Sequence, residues 1–212
     1  MRLYTFWRSS AAYRVRIALH VKGLEFESVA KQLAAGEHQS EAYLALNPQG
    51  LVPALEDSGV VLAQSLAIIE YLEETHPEPA LLPAKPRDRA LVRSLAQAIA
   101  CDIHPLNNLR VLNYLRSPLG QDDRAVDGWY AHWIAQGLGA LEKEVHKTSG
   151  DGRHMFGTGV TLADVFIVPQ MYNARRFKCD LAPYPTLRAI CANLEGLPAF
   201  ARAAPEVQPE AQ

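Results

Sequence analysis

The chain has 212 residues, a formal net charge of −2 and 21% charged residues, the composition of an ordinary globular protein with room for one or two domains. This charge gives no basic field for nucleic acid or a membrane surface, and there is neither a signal-peptide pattern nor an apolar run of about 20 residues that would span a bilayer. Cys101, Cys179 and Cys191 are dispersed, without CxxC or metal-ligand spacing, so we expect buried free thiols in a reducing cytoplasm and no metal site.

The first part of the chain alternates short strand-like and helix-like segments. An apolar run, a helix closed by Gly23 and a second apolar run predict two parallel strands joined by a helical crossover. Two further runs flank Asp57-Ser58-Gly59 and predict a hairpin, followed by a helix. The predicted strands are 3–6, 26–29, 52–56 and 60–62 and the predicted helices are 11–22 and 64–75, which make a βαβ-ββα unit with a mixed four-stranded sheet.

A proline-rich segment separates the two parts of the chain. Four prolines within residues 76–86 predict a stiff linker, and every segment beyond it has helical periodicity. We therefore expect an α/β domain at 1–80 and an all-α domain at 87–212, joined by the linker at 76–86. Thr161 and Asp164 have the spacing of a capping box, which predicts that a helix starts there.

Serines stand at the start of two predicted helices, as Ser9-Ser10 and as Gln64-Ser65. The first turn of a helix carries unpaired N–H groups and about half a positive charge, so it attracts an anion. A hydroxyl at this position can cap the helix or donate to the anion. For Ser9 and Ser10 the residues alone favour capping.

Two prolines interrupt otherwise regular segments. Pro53 falls in a predicted strand, where a proline fits an edge position. Pro105 lacks an N–H for the helical ladder, so we expect a kinked fourth helix with His104 and Asn108 on one face at i, i+4. Arg110 would then point about 160° away from Asn108. Either the helix is distorted, or Arg110 serves a different part of a site.

The order of these segments resembles the glutathione transferase superfamily over nearly the whole chain. The resemblance rests on Arg8-Ser9-Ser10 at the first turn, Val52-Pro53 before the hairpin and Gln64-Ser65 at a helix start. The runs Arg14-Val15-Arg16-Ile17-Ala18-Leu19 and 64–74 are similar to the zeta class, and 101–112 is similar to the bacterial isomerases of that class.

This resemblance implies a thioredoxin-like N-terminal domain, an all-α C-terminal domain, a homodimer and glutathione as the cofactor. It also implies that Ser9 rather than Ser10 donates to the glutathione thiolate, and that the Val52–Pro53 bond is cis. The implied glutathione contacts are Ser9, Ser10, Ala11, His38, Val52, Pro53, Gln64, Ser65, His104 and Asn108.

The resemblance further implies that Arg8, Arg110 and Arg176 surround an acidic substrate, and arginine suits this role because its planar fork binds carboxylate. Arg175 could fill the third role instead, and we favour Arg176. The zeta pattern usually has a cysteine where this chain has Ala11. We therefore expect no mixed-disulfide chemistry, and the nucleophilic sulfur has to come from glutathione.

The activity that the resemblance implies is a glutathione-dependent cis–trans isomerisation of maleylacetoacetate or maleylpyruvate in aromatic compound catabolism. It would proceed by thiolate addition, bond rotation and elimination, with glutathione and a small dicarboxylate as partners. The alternative is a glutathione transferase or haloacid-processing enzyme. A third reading is a binding module without catalysis, which the intact Ser9, Gln64 and Ser65 disfavour.

Overall fold

A mixed sheet organises the first part of the computed structural model, which describes residues 1–211. Its four strands are β1 (Arg2–Thr5), β2 (Glu27–Ala30), β3 (Ala54–Asp57) and β4 (Val60–Ala63), in the order β2-β1-β3-β4. β1 runs parallel to β2 and antiparallel to β3, and β3 forms a hairpin with β4. The predicted mixed sheet is confirmed.

The hairpin turn explains part of this register. Ser58 and Gly59 both have positive φ, at 49° and 81°, which is the backbone of a type I′ turn. Such a turn matches the twist of the flanking strands and pairs Asp57 with Val60. The turn therefore sets which face of β3 enters the core, where Leu55 is fully buried.

Three helices accompany the sheet: α1 (Ser10–Val21), α2 (Glu41–Leu46) and α3 (Ser65–Thr75). Nine of the twelve residues of α1 are buried, and two other helices of the same unit pack against it. A single turn of 3₁₀ helix, Glu37–Gln39, precedes α2 in the polar segment that follows β2.

A buried cation ties the end of α1 to the end of α3. The Nζ atom of Lys22 lies 2.8 Å from Glu73 Oε2 and donates to the carbonyl oxygens of His76 and Pro79 at 2.6 and 3.1 Å. All three ammonium hydrogens therefore have acceptors, as a buried charge requires. This cluster fixes the chain at the beginning of the proline-rich segment.

The chain forms two compact units. The first is Met1–Ala80 together with the C-terminal segment from Gly196 onward, and the second is Leu81–Glu195. We expected residues 196–211 in the helical half, but α9 (Pro198–Ala203) packs against α1, and two 3₁₀ turns, Pro205–Val207 and Pro209–Ala211, follow it.

The second unit is helical, as predicted. Its helices are α4 (Pro86–Gln97), α5 (Leu109–Arg116), α6 (Asp123–Thr148), α7 (Leu162–Arg176) and α8 (Pro185–Glu195). The core helix is α7, which is buried along most of its length and packs against α4 and α8. Across residues 1–211, none of the helices is both long enough and apolar enough to cross a membrane.

The predicted capping box at the start of α7 is confirmed. The Asp164 carboxylate accepts hydrogen bonds from the Thr161 N–H and hydroxyl at 2.7 and 2.8 Å, and from the Met155 N–H at 2.7 Å. Burial raises the pKa of Asp164 to about 6, while these donors act in the opposite direction. One carboxylate thus anchors both the helix start and the loop before it.

We predict that Thr161→Ala lowers the free energy of unfolding by about 1 kcal/mol, because the substitution removes a helix cap. Chemical denaturation followed by circular dichroism measures the change. Thr161→Ser, which keeps the hydroxyl, is the control and should lose less than half as much. Equal losses in the two variants would show that the cap contributes nothing.

Candidate functional site

Ser9 lies at the junction of β1 and α1 and is the N-cap of α1. Its Oγ accepts a hydrogen bond from the Ala12 N–H at 3.2 Å, and its own N–H donates to the Phe6 carbonyl at 3.0 Å. A hydroxyl has one donor in addition to its acceptor lone pairs. Capping therefore uses the acceptor and leaves the Ser9 O–H able to donate to an anion, so the two roles considered for Ser9 are compatible.

The neighbouring residues of this turn differ in exposure. Ser10 is buried as the first residue of α1, and Ala11 is half-buried. Arg8 is exposed, with its guanidinium 5.0 Å from the centre of the Trp7 ring. The indole face supports the arginine side chain through a cation–π contact, which keeps its charge beside the helix start.

The Val52–Pro53 peptide bond is cis, as the resemblance implied. Pro53 is buried and directly precedes β3, an inner strand of the sheet, so it is not the edge-strand proline that the residues alone suggested. Among residues 1–211, no loop or turn hydrogen bond uses the main-chain N–H or C=O of Val52. This main chain could therefore pair with an extended peptide ligand.

Gln64 and Ser65 form the start of α3. Gln64 has φ of 71° and ψ of 114°, an unusual backbone for a residue other than glycine, and its side-chain amide donates to Gln49 Oε1 at 2.8 Å. Strained residues of this kind cluster at ligand sites. The Ser65 hydroxyl is buried and accepts a hydrogen bond from Arg14 Nη1 at 3.4 Å.

Arg14 and Arg16 are the residues that our sequence analysis missed. Both belong to the run that resembles the zeta class, but the sequence indicates no role for either. Their side chains are buried to 1% and 0% exposure, and both belong to α1. The signal was available, because residues 11–19 have no polar face and these arginines are their only charged residues. Arg14 places a positive charge beneath the start of α3, where it reinforces the dipole of that helix.

His38 belongs to the 3₁₀ turn between β2 and α2 and is half-buried. Its Nδ1 atom is buried and has no hydrogen-bond partner within residues 1–211. Buried polar atoms are nearly always paired, so an unpaired ring nitrogen indicates a missing partner such as a ligand or water. His38 therefore remains a candidate contact in the first unit.

In the second unit, the predicted kinked helix through Pro105 is wrong. α4 is followed directly by a π-helical segment, Ala98–Ile103, and Asn108 is the N-cap of the next helix, α5. His104 and Asn108 therefore do not share a helical face. The Asn108 side chain accepts a hydrogen bond from the Arg110 N–H at 3.1 Å, so the ideal-helix angle expected between these two residues does not apply. The place of Arg110 in a site stays a prediction. π-Helical segments are rare and are frequently found at functional sites.

The arginines at the end of α7 have different partners. Arg175 forms an ion pair with Glu195, and Arg176 lies over the Phe177 ring, 4.7 Å from its centre. Phe177 stacks on Tyr130, with ring centres 3.8 Å apart. Arg176 and Arg110 are both exposed. Arg175 is therefore already bound to a carboxylate of this unit, and the choice of Arg176 for an acidic ligand stays a prediction.

The thiols are only partly as expected. Cys191 is buried, and burial raises its pKa, whereas Cys101 is exposed on the π-helical segment and Cys179 is half-buried. The expectation of burial is thus confirmed for Cys191 and wrong for Cys101. Within residues 1–211, no group of three or more His, Cys, Asp or Glu side chains could hold a metal ion.

Comparisons with known proteins identify the family. Residues 1–74 match the family model of the glutathione S-transferase N-terminal domain. A maleylpyruvate isomerase from a Ralstonia species is 50% identical over 210 residues, which cover 99% of each chain.

Two solved structures extend the likeness over the whole chain. The holo structure of maleyl pyruvate isomerase, a bacterial glutathione S-transferase in the zeta class, has a TM-score of 0.97 at 50% identity and covers all of both chains. Maleylacetoacetate isomerase from Anaeromyxobacter dehalogenans, solved with dicarboxyethyl glutathione and citrate in its active site, has a TM-score of 0.88 at 45% identity and covers 100% of this chain and 97% of that one. The chain described here therefore belongs to the glutathione transferase family, and within it to the zeta class.

Proposed function

We propose that this chain is a glutathione-dependent cis–trans isomerase that acts on maleylacetoacetate or maleylpyruvate in aromatic compound catabolism. The observation that carries the proposal is the Ser9 hydroxyl, which caps α1 and keeps a donor for a thiolate. The relatives named above support the same activity, because they are maleylpyruvate and maleylacetoacetate isomerases.

The residues of the first unit fit glutathione, which has a thiol, two carboxylates, an amine and a peptide backbone. The start of α3, with Ser65 and the underlying Arg14 charge, suits the γ-glutamyl carboxylate. The main chain of Val52, beside the cis Pro53, suits the backbone of the cysteinyl residue. His38 has a buried Nδ1 without a partner, and it would complete the binding of the tripeptide.

Glutathione, when bound, supplies a thiolate that can add to a cis double bond beside a ketone and leave after that bond has rotated. The task of the chain is to keep the sulfur ionised. A free thiol of this type has a pKa of about 8.5, so only about 3% is thiolate at pH 7. Ser9 and the α1 dipole stabilise the charged form, and one pKa unit requires about 1.4 kcal/mol. Ser10 completes the same helix start, and the half-buried Ala11 contributes no competing thiol.

We propose that Arg8, Arg110 and Arg176 bind the carboxylates of the substrate and stabilise the negative charge that develops on its ketone oxygen. All three side chains are exposed, so they are accessible to a dissolved dicarboxylate. His104 and Asn108 remain proposed glutathione contacts. Citrate and a dicarboxyethyl group in the relative's active site support an acidic substrate.

The alternative function, a glutathione transferase or haloacid-processing enzyme, would use the same thiolate. Its electrophile would differ and need not carry two carboxylates. A transferase would therefore not require several arginines at its site. The arginine trio favours the isomerase. A transferase side activity is compatible with the same thiolate.

We also propose that the enzyme is a homodimer in the cytoplasm. Dimerisation follows from the family resemblance, and size-exclusion chromatography with light scattering tests it. The free thiols of Cys101, Cys179 and Cys191 support a reducing compartment, because oxidising compartments pair or modify such groups.

We predict that Ser9→Ala raises the pKa of the bound glutathione thiol by about one to two pH units, because a hydrogen bond to a charged group contributes roughly 1.5–3 kcal/mol. The isomerisation rate at pH 7 should fall roughly tenfold to a hundredfold. A pH titration of thiolate absorbance in the ultraviolet measures the pKa.

Ser9→Thr keeps the hydroxyl and is the control for both measurements. We expect it to remain within about threefold of the natural enzyme. If Ser9→Ala isomerises at the full rate, Ser9 is not the thiolate donor.

We predict that Arg110→Ala and Arg176→Ala each raise KM for the keto-dicarboxylate at least roughly tenfold, because each removes a charge-assisted hydrogen bond. KM for a neutral electrophile should change little. Arg175→Ala is the matched control, since Arg175 is adjacent to Arg176 but paired with Glu195. Steady-state kinetics with both types of substrate distinguish the outcomes, and equal effects on the neutral electrophile would favour the transferase.

A further inference from the structure

We propose that Arg16 is a positioning residue for the β1–α1 turn, and that it makes the C-terminal helix α9 a working part of the glutathione-binding unit. This inference rests on the proposed function in one respect, the roles proposed for Arg8 and Ser9, which are the residues that the turn positions. The contacts themselves belong to the first unit alone.

The Arg16 guanidinium is fully buried and donates in three directions. Nη2 donates to the Trp7 carbonyl at 2.8 Å, Nη1 to the Thr5 hydroxyl at 3.1 Å and Nε to the Ala203 carbonyl at 3.1 Å. Thr5 is the last residue of β1, Trp7 lies in the turn, and Ala203 is the last residue of α9. One rigid fork therefore joins the strand, the turn and the C-terminal helix.

The direction of the side chain follows from helix geometry. Arg16 comes seven residues after Ser9, which corresponds to about 10 Å along α1. Side chains on a helix lean toward its N-terminus, so a long arginine on the buried face reaches back to the turn. The Ser9 N–H closes this turn on the Phe6 carbonyl at 3.0 Å, and the carbonyl that Arg16 binds lies between them in sequence.

The hydrogen bond from Arg16 to the Trp7 carbonyl fixes the peptide plane immediately before Arg8. With this plane held from the core, the orientation of Arg8 and the entry of the chain into the Ser9 cap are both defined. Without the guanidinium, the Trp7 carbonyl and the Thr5 hydroxyl would lose their buried donor, and the plane could rotate to find another. Displacements of about 1 Å at a reacting group can lower a rate by roughly a hundredfold.

The Ala203 carbonyl extends this effect to the end of the chain. The last carbonyls of a helix have no partner within it and carry the negative end of its dipole, so α9 presents a suitable acceptor to a buried cation. α9 packs along α1, and Phe200 and Ala203 on it are fully buried. α9 thus helps to fix the Arg16 side chain, and Arg16 in turn fixes the β1–α1 turn.

Lys22 provides a matched comparison on the same helix. It is also a buried cation, at the C-cap of α1, but it bonds to Glu73, His76 and Pro79 at the opposite end of the helix. Exchanging the two cation types, as Arg16→Lys and Lys22→Arg, keeps each charge and disturbs each network. A lysine donates all its hydrogens from one nitrogen, so it cannot reproduce the separate Nε, Nη1 and Nη2 donors with which Arg16 reaches α9, β1 and the turn.

The test combines amide hydrogen exchange of the turn with the thiol titration of bound glutathione. In Arg16→Lys we expect the Ser9 amide to exchange at least roughly tenfold faster, kcat to fall roughly tenfold and KM for glutathione to change less than about threefold. Thr5→Val, which removes one acceptor from the cluster, should give a smaller change in the same direction. Lys22→Arg should leave the turn and the thiol pKa unchanged.

Unchanged exchange of the Ser9 amide in folded Arg16→Lys would overturn the proposal, and so would an equal effect of Lys22→Arg. Hydrogen exchange needs neither glutathione nor substrate, so this outcome is distinguishable from a failure of the proposed function. If Ser9→Ala leaves the thiol pKa unchanged while Arg16→Lys loosens the turn, the thiolate assignment fails and the positioning role stands.

Discussion

The geometry at the start of α1 depends on the hydrogen bond from the Ala12 N–H to the Ser9 hydroxyl. This bond starts α1, aims the hydroxyl and uses only an acceptor lone pair, so the donor remains for a thiolate. The helix start adds the positive end of its dipole at the same place. In the mechanism that we propose, the helix cap and the thiolate donor are therefore one group, and any change that shifts the turn affects both.

Three buried cations, two within α1 and one at its C-cap, explain how this arrangement is held. Arg14 reaches the start of α3, Arg16 reaches the turn and α9, and Lys22 reaches the end of α3. A buried charge is costly unless its donors are satisfied, so each cation admits few alternative geometries. α1 therefore links the candidate glutathione contacts at Ser9 and Ser65 through its own core-facing side chains.

The sequence predicted the features that local chemistry determines. The order of strand-like and helix-like segments and the Asp57-Ser58-Gly59 turn predicted the sheet. The spacing of Thr161 and Asp164 predicted the capping box. Features that depend on distant contacts were out of reach. Asn108 is spaced to share a helical face with His104, but the helix ends before Asn108. Residues 196–211 belong to the first unit, where α9 packs against α1. The lack of a polar face around Arg14 and Arg16 predicts that both are buried, but their acceptors Ser65 and Ala203 lie too far away in sequence to be predicted from it.

In the proposed mechanism, glutathione acts as a catalyst whose sulfur this chain ionises. The most direct measurement follows free glutathione and both isomers of maleylpyruvate and maleylacetoacetate by proton magnetic resonance during turnover. We predict that isomerisation of at least one of these substrates requires glutathione and proceeds through many turnovers while the glutathione concentration stays constant. Isomerisation without glutathione, or stoichiometric conversion of glutathione to a thioether, would show that glutathione is not the catalyst.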